Sequence, residues 1–348
     1  MALLIRDHEV SGLLSISEAI AAILEGYRDQ GQKPHFSAPR LRIQHEDRRL
    51  SVHPGGCHRL GVSGAFLHAE RFTYFDGAQQ YTHIGKRVYV VYNSDNAELE
   101  GIIIGSPPLF PFETVEEAMG TETPCTSAAG TDLMARRDCK VLGLYGTGRQ
   151  ARRHLLTMCD IRPGIREVRV YSRSRQNRDA FVERMQPHVS AKIVAVEDPK
   201  QACIDSDLIC LATGSNTPVL KGEWLVPGQH VTSIVGSNKA VFLQGLVQEP
   251  RREFDDDVIR RADRIMATIK EQAIVDEQGD LFQPVQNGLT TWDEIIDLGE
   301  VACGNKQGRC SDQEITLFKQ NSDQGVGYMA LAKVILQKAR AAGLGLTI

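Results

Sequence analysis

A short run of glycines near the middle of the chain has the spacing of a phosphate-binding loop. It follows the apolar run Val141–Tyr145 and precedes residues 152–158, whose composition suits a helix. The loop consists of Gly146, Thr147, Gly148, Arg149, Gln150 and Ala151. In this context the first glycine permits a sharp turn, the second lets the backbone approach a pyrophosphate, and the alanine allows close helix–strand packing. The pyrophosphate would lie against the N–H groups at the positive end of the helix. The loop therefore predicts a dinucleotide site, with a plain tight turn as the alternative.

The next predicted strand ends in a basic segment that is rich in hydroxyl groups. Ser172, Arg173 and Ser174 stand where an NAD enzyme usually carries an acidic residue against the ribose hydroxyls. A guanidinium and hydroxyl groups would instead hold a 2′-phosphate through charge-assisted hydrogen bonds. The segment favours NADPH, with NADH as the alternative cofactor. The other interpretation is a solvated basic loop.

Two more polar segments follow later apolar runs of the same region. They are Thr213, Gly214 and Ser215, and Val235, Gly236 and Ser237. Ligands bind at the carboxyl ends of the strands in open α/β sheets. We therefore expect both segments to flank the nicotinamide.

Apolar runs and helix-compatible segments alternate from residue 140 to residue 267, and this alternation is typical of a parallel sheet. The predicted strands are Lys140–Tyr145, Glu167–Ser172, Lys192–Val196, Asp207–Ala212, Val231–Val235 and Arg264–Ala267. Six strands with crossover helices make a doubly wound Rossmann domain.

The first hundred residues follow a different pattern. Ser15 and Glu18 have the spacing of a capping box, and apolar residues recur at helical spacing from Ile16 to Tyr27. Short strand-like runs then predict an antiparallel sheet between residues 39 and 104. The tail, residues 311–344, has a long helical pattern that we expect to pack on this first region.

Composition narrows the class of protein. The 348 residues are 42% hydrophobic and 24% charged, with a formal net charge of −4 that gives no reason to expect nucleic acid as a partner. The eight cysteines lack C-x-x-C pairs and predict reduced thiols without a disulfide framework or metal site. The N-terminal apolar run is too short for a signal sequence, and no run suits a membrane span. These features predict a cytoplasmic protein that acts on a small molecule.

Beyond single motifs, the sequence resembles the ornithine cyclodeaminase/μ-crystallin family over nearly its whole length. The matching blocks are residues 126–134, 146–151, 213–219, 235–238, 252–255, 277–280, 291–300 and 311–318. The resemblance implies an α/β fold in which a Rossmann domain, residues 121–311, stands beside an α+β substrate-binding and dimerisation domain, residues 1–120 and 312–348. It also implies a homodimer that moves a hydride between nicotinamide and a carbon bearing an amino or imino group.

Three positions of the implied substrate site depart from the family pattern. The family's carboxylate-binding arginine matches Arg40, with Arg42 as the alternative. Its lysine falls on Ser63 and its second arginine on Glu122. The acidic residue of cyclodeaminases falls on Asn238, which cannot act as a carboxylate base.

Ser63, Glu122 and Asn238 are therefore the candidate catalytic residues, and Arg40, Arg42 and Glu122 the candidate substrate-binding residues. A glutamate in the pocket would favour a cationic amine or imine, whereas the alternative role of Glu122 is to complement a helix dipole. Lys86, Arg87, His68 and His83 are the other conceivable proton donors.

The sequence predicts an NAD(P)-dependent oxidoreductase, either an imine or ketimine reductase or an amino-acid dehydrogenase. Its substrate would be a small amine, imine or amino-acid-like molecule. The alternatives are an amino-acid cyclodeaminase and a crystallin-like protein that binds NADPH without turnover.

Overall fold

The computed structural model describes residues 1–32, 36–75, 78–114, 118, 120–245, 247–320 and 323–348. The chain divides into two compact units. Unit 1 comprises residues 1–126, 299–305 and 323–348, and unit 2 comprises residues 127–298 and 306–322. Residues 312–322 therefore belong to unit 2, whereas the sequence had placed them in the first domain.

Unit 1 is built on a mostly antiparallel sheet. Its strands within the described residues are β1 (Leu3–Arg6), β2 (Leu41–His45), β3 (Arg48–Cys57), β4 (Val62–Phe75), β5 (Ala78–Ile84), β6 (Val88–Asn93), β7 (Leu99–Ile104) and β16 (Leu346–Thr347). The order is β16-β1-β7-β6-β4-β3-β2, with β5 paired to β4 and β1 parallel to β7. A 3₁₀ turn covers Asp7–Val10.

Two helices, α1 (Ile16–Gln32) and α11 (Val326–Ala341), pack on one face of this sheet. The predicted capping box of α1 is confirmed, because Ser15 N donates to Glu18 Oε2 (2.9 Å) and Glu18 N donates to Ser15 Oγ (3.2 Å). A Cβ on Gly26 of α1 would lie 2.9 Å from Ala330 Cβ of α11, so glycine permits the close helix pair. The tail helix lies on the first region, as its sequence pattern predicted.

Strands of unit 1 show the period of two that separates the faces of a sheet. In β6, Tyr89 and Val91 are fully buried on the helix-covered face, and the residues between them are partly exposed. The opposite face carries exposed apolar side chains. Among them are Leu41 (58% exposed), Ile43 (60%), Leu50 (40%) and Tyr92 (41%).

Unit 2 contains an all-parallel sheet. Its strands within the described residues are β8 (Val141–Tyr145), β9 (Glu167–Tyr171), β10 (Lys192–Ala195), β11 (Leu208–Leu211), β12 (His230–Ser233), β13 (Arg264–Ala267), β14 (Ile295–Asp297) and β15 (Thr316–Lys319). The order is β10-β9-β8-β11-β12-β15-β13-β14. Its first five strands in this order have the 3-2-1-4-5 arrangement of a doubly wound dinucleotide-binding sheet, and β15, the last of these strands along the chain, takes the sixth place. The predicted α/β fold class is confirmed.

The remaining helices connect these strands. They are α2 (Glu122–Met134), α3 (Arg149–Ile161), α4 (Arg175–Met185), α5 (Pro199–Cys203), α6 (Lys239–Leu243), α7 (Asp256–Arg261), α8 (Lys270–Val275), α9 (Gly279–Gln286) and α10 (Leu298–Ala302), with 3₁₀ turns at Gln186–His188 and Gly222–Trp224. Within the described residues no helix combines the length and apolar character needed to cross a bilayer.

Among the described residues, four strands were not predicted from the sequence: β1, β14, β15 and β16. β15 had been included in the helical tail, yet it lies between β12 and β13 inside the sheet. All four of its residues are buried, and a run of four residues without alternation carries no period that identifies a strand. β14 is only three residues long.

Candidate functional site

The glycine loop connects β8 to the amino end of α3, as its sequence predicted. Gly146 has φ of +109°, and a Cβ there would lie 2.2 Å from Ala212 O, so only glycine fits without a backbone shift. A Cβ on Gly148 would meet no atom within 4 Å, and this residue is exposed. Ala151, in the first turn of α3, is fully buried. The loop thus places backbone N–H groups at the start of a thirteen-residue helix, an arrangement that suits an anionic phosphate.

The segment after β9 contains hydrogen-bonded serines and exposed arginines. Ser174 caps α4 by accepting a hydrogen bond from Asn177 N (3.2 Å), and Ser172 Oγ donates to Ser174 O (3.2 Å). Arg173 is exposed, and Arg175 lies 3.7 Å from Asp179 of its own helix. Arg173 therefore has the position and freedom to meet a phosphate, whereas the two serine hydroxyls shape the loop.

The segments after β11 and β12 are joined by one buried carboxylate, Glu253. Its Oε1 accepts from Thr213 N (2.8 Å) and Thr213 Oγ1 (2.9 Å), and its Oε2 accepts from Ser233 Oγ (2.8 Å), Ile234 N (3.0 Å) and Val235 N (3.0 Å). Burial raises the pKa of Glu253, while Lys319 and the backbone N–H groups act in the opposite direction. The predicted residues Thr213 and Val235 are thus brought together by a side chain that the sequence analysis did not single out.

A buried ion pair supports this carboxylate. Lys319 Nζ donates to Asp280 Oδ2 (2.6 Å) and to Ser233 Oγ (2.8 Å), and both charged side chains are at most 1% exposed. Asp280 Oδ1 accepts from Glu253 N (2.8 Å). The pair therefore compensates charge where water is excluded.

Asn238 lies directly before the short helix α6, and its side-chain amide is hydrogen-bonded at both ends. Its Oδ1 accepts from Arg251 N (2.7 Å), and its Nδ2 donates to Glu249 O (3.2 Å). Both ends of the amide are thus bound to the segment 249–251. The geometry gives Asn238 a loop-holding role in unit 2, in addition to any contact with a ligand.

In unit 1, the candidate substrate residues lie beside a pair of buried histidines. Arg40 is 7% exposed and acts electrostatically on His53, and Arg42 acts in the same way on His68. Burial, with Arg40 contributing, lowers the pKa of His53 to about 4, and burial chiefly lowers that of His68. Both rings are therefore neutral near pH 7, and the arginines remain the cationic groups of this region.

Glu122 begins α2 and is 1% exposed. Its carboxylate accepts from Thr126 Oγ1 (2.7 Å) and interacts with Thr123 and Tyr328. Burial first, and then the nearby charge of Asp323, raise its pKa to about 8. Glu122 is therefore protonated near neutral pH and can donate as well as accept a hydrogen bond.

Asp323 completes this cluster. It accepts from Tyr27 Oη (2.7 Å) through Oδ1, while its buried Oδ2 lies 3.8 Å from His53 Nδ1. Among the described residues, neither ring nitrogen of His53 has a hydrogen-bond partner, and the residue is 3% exposed. Unit 1 thus buries two carboxyl groups beside polar atoms that are not fully satisfied.

Ser63 is not brought to this cluster. It pairs with Tyr92 across β4 and β6, whereas Phe66 pairs with Tyr89 on the face covered by helices. Tyr328 stacks on Phe66, with ring centroids 4.0 Å apart, so the Glu122 cluster lies on the Phe66 face. Because residues 63 and 66 differ by an odd number, Ser63 faces the other side of the sheet.

Several residues of these clusters were missed by the sequence analysis: Tyr27, His53, Glu253, Asp280, Lys319 and Asp323. Tyr27 ends the helical pattern of α1, and Glu253 and Asp280 lie in the blocks 252–255 and 277–280 that resemble the family. None of these signals tells which polar residues meet in space.

Comparisons with known proteins agree with the geometry. The model of the ornithine cyclodeaminase/mu-crystallin family matches residues 111–342. A putative dehydrogenase of Rhizobium meliloti is 26% identical over 99% of this chain and 98% of its own length. A Delta(1)-pyrroline-2-carboxylate reductase of Bacillus cereus is 30% identical over 64% of this chain and 65% of its own length.

A solved structure extends the similarity to the whole fold. The Thermococcus litoralis Delta(1)-pyrroline-2-carboxylate reductase, in complex with NADH and L-proline, has a TM-score of 0.82 and 23% identity. It covers 99% of this chain and 100% of its own. At this identity the likeness shows the common fold.

Proposed function

The chain belongs to the ornithine cyclodeaminase/mu-crystallin family, and from this premise we propose that it is an NAD(P)H-dependent oxidoreductase acting on a C=N or CH–NH₂ group. The observation that carries the proposal is the open turn at Gly148, at the carboxyl edge of a doubly wound sheet. A reductase that acts on a cyclic imine is among the related proteins, which supports this reaction class over others.

Unit 2 fits a nicotinamide dinucleotide. The phosphates would lie against the backbone of residues 146–151, and Arg173 would contact a 2′-phosphate, which makes NADPH the preferred cofactor and NADH the alternative. The segments 213–215 and 235–237 would flank the nicotinamide. When bound, the dinucleotide supplies or accepts the hydride, and the chain contributes binding and orientation.

Unit 1 supplies the substrate groups. Arg40, with Arg42 as the alternative, holds a carboxylate, and the protonated Glu122 selects an amino or imino group by hydrogen bonding. With its raised pKa, Glu122 can hold a proton near neutral pH, as a reaction that protonates an imine nitrogen requires. Cyclodeamination is the weaker candidate, because both ends of the Asn238 amide are bonded to backbone.

The protein is further proposed to be a cytoplasmic homodimer. Leu41, Ile43 and Leu50 expose 40% to 60% of their surfaces on one sheet face of unit 1. A second copy of this chain would remove this apolar surface from water.

The decisive experiment is a binding and turnover assay of the purified chain. Energy transfer from tryptophan to the reduced nicotinamide measures binding of NADPH and NADH. Cyclic imines, and keto acids mixed with amines, are then screened for dinucleotide oxidation. We expect binding of both dinucleotides, tighter for NADPH, and turnover with at least one imine. Absence of binding contradicts the redox role, and binding without turnover indicates a carrier of the dinucleotide.

The variant Glu122→Arg tests the proposed role of Glu122 in substrate recognition. The change replaces a protonated carboxyl group by a fixed positive charge, so we expect the preferred substrate to shift from an amine or imine toward a second carboxylate. An unchanged substrate preference and KM would contradict a role of Glu122 in recognition.

A further inference from the structure

Glu253 lies outside the segments assigned to the dinucleotide, yet it contacts two of them. We propose that the Glu253 carboxylate is a positioning residue that holds the loops after β8, β11 and β12 in the arrangement the dinucleotide needs. The proposal rests on the dinucleotide-binding function proposed above and adds to it a residue that does not itself touch the ligand.

The groups around Glu253 require an acceptor at both of its carboxylate oxygens. Five groups donate to the two oxygens of Glu253: two from Thr213, one from Ser233, and the backbone N–H groups of Ile234 and Val235. An ionised carboxylate is an acceptor at both oxygens, with about four lone-pair sites. A neutral side chain of the same shape would direct at least one donor against another donor.

Lys319 orients the Ser233 hydroxyl toward Glu253. Lys319 Nζ can only donate, and it lies 2.8 Å from Ser233 Oγ. The serine oxygen therefore accepts from the lysine, and its own hydrogen is free to point toward Glu253 Oε2. The Lys319–Asp280 ion pair thus orients the donor on which Glu253 depends.

The backbone of Ala212 connects Thr213, which Glu253 holds, to the glycine loop. Ala212 O would lie 2.2 Å from a Cβ on Gly146, so the backbone just before Thr213 is in direct contact with the turn after β8. Ala212 N also donates to Tyr145 O (2.8 Å). Displacement of Thr213 would therefore displace the glycine turn, and Glu253 holds Thr213 through two hydrogen bonds.

The cluster of Glu253, Ser233, Asp280 and Lys319 lies at the carboxyl ends of β11, β12 and β15. This is the sheet edge at which ligands bind in this architecture. The opposite edge contains a comparable carboxylate, Asp207, which accepts from Lys140 N (2.7 Å) and Val141 N (3.0 Å). Asp207 therefore provides a matched control, because it bonds backbone N–H groups of the same unit far from the loops.

The test compares Glu253→Gln with Asp207→Asn. For Glu253→Gln we expect the Kd of reduced dinucleotide to rise about tenfold or more, the effect of losing one charged hydrogen bond. The KM for the dinucleotide should rise in parallel, while kcat at saturating dinucleotide stays within about twofold. Asp207→Asn should lower the unfolding midpoint in urea and leave the Kd unchanged.

A purely structural role predicts a different outcome, in which both variants lose stability and neither changes the Kd. That result would overturn the proposal. If Glu253→Gln does not fold, Ser233→Ala replaces it, since it removes the hydroxyl that bridges Lys319 and Glu253. An unchanged Kd in this variant is equally contrary. Failure of the wild-type chain to bind either dinucleotide would instead refute the proposed function, so the two failures are distinguishable.

Discussion

Both units bury carboxyl groups, but they surround them differently. In unit 2, Glu253 receives five donated hydrogen bonds and Asp280 is paired with Lys319. In unit 1, Glu122 is hydrogen-bonded to hydroxyl groups, and Asp323 Oδ2 has no hydrogen-bond partner. Glu253 and Asp280 are therefore part of the framework of unit 2, whereas Glu122 and Asp323 of unit 1 retain unused hydrogen-bonding capacity.

This difference fits the two roles proposed above, dinucleotide binding in unit 2 and substrate binding in unit 1. A fixed framework suits a cofactor whose shape is the same in every turnover, because preorganised groups need no rearrangement on binding. Partly unsatisfied polar groups are costly to keep and occur where a ligand or a proton completes them. Ligand binding in unit 2 should therefore depend on backbone geometry, and ligand binding in unit 1 on the protonation of Glu122.

The largest effect should come from the two glycines of unit 2. Gly146→Ala places a Cβ 2.2 Å from Ala212 O at a φ of +109°, so we expect loss of both stability and dinucleotide binding, the latter by about a hundredfold or more. Gly148→Ala meets no neighbour within 4 Å. It should leave the thermal midpoint nearly unchanged and weaken binding about tenfold by blocking the approach of the phosphates.

Thermal unfolding and dinucleotide titration of both variants decide this prediction. If Gly148→Ala binds as tightly as the wild type, the backbone at Gly148 does not approach the ligand. The preformed framework would then have to contact the dinucleotide elsewhere.

The next effect concerns the proton on Glu122. Its folded pKa of about 8 lies above the ordinary value of 4.5, so its contribution to stability is complete below about pH 4.5 and is lost as the pH rises through about 8. Glu122→Gln resembles the protonated form at every pH. The wild type should therefore lose stability relative to this variant between pH 5 and pH 9, on the order of a few kcal/mol.

Urea unfolding at several pH values measures this difference. Glu294→Gln is the control, because hydrogen bonds from Thr291 and Thr290 lower the pKa of this exposed carboxyl and place its titration below this range. A constant offset between wild type and Glu122→Gln from pH 5 to pH 9 would show that unit 1 does not bury a proton-holding carboxyl.

A smaller effect should separate the two dinucleotides. Arg173→Ala removes an exposed guanidinium at the end of β9, so we expect the Kd of NADPH to rise about tenfold and that of NADH to change by less than about twofold. Arg175→Ala is the matched control, because Arg175 is directed toward Asp179. Equal effects of Arg173→Ala on both dinucleotides would show that this segment does not select the 2′-phosphate.

The smallest effect should come from Ser63→Ala. Ser63 faces the side of the sheet opposite to the Glu122 cluster, so kcat/KM should stay within about twofold of the wild-type value. A loss of tenfold or more in a steady-state assay would place this face of unit 1 in the reaction and reverse the assignment of the two faces.

Local motifs determined much of this protein. The strand–glycine–helix pattern at Gly146, the alternation of strands and helices after residue 140 and the Ser15–Glu18 capping box each depend on neighbours within a few residues. Such features can be read from sequence, because backbone conformation and periodicity are short-range properties. The family similarity gave the reaction class and the candidate positions Arg40 and Glu122.

Only the tertiary structure decided which polar residues meet. Glu253 and Thr213 are separated by 40 positions and Tyr27 and Asp323 by 296, yet each pair is hydrogen-bonded. The buried strand β15, which carries Lys319 into the sheet, has no period that marks it in the sequence. The face on which Ser63 lies depends on strand register. These features depend on long-range packing, which couples distant residues through burial and hydrogen-bond satisfaction, and no local pattern encodes that coupling.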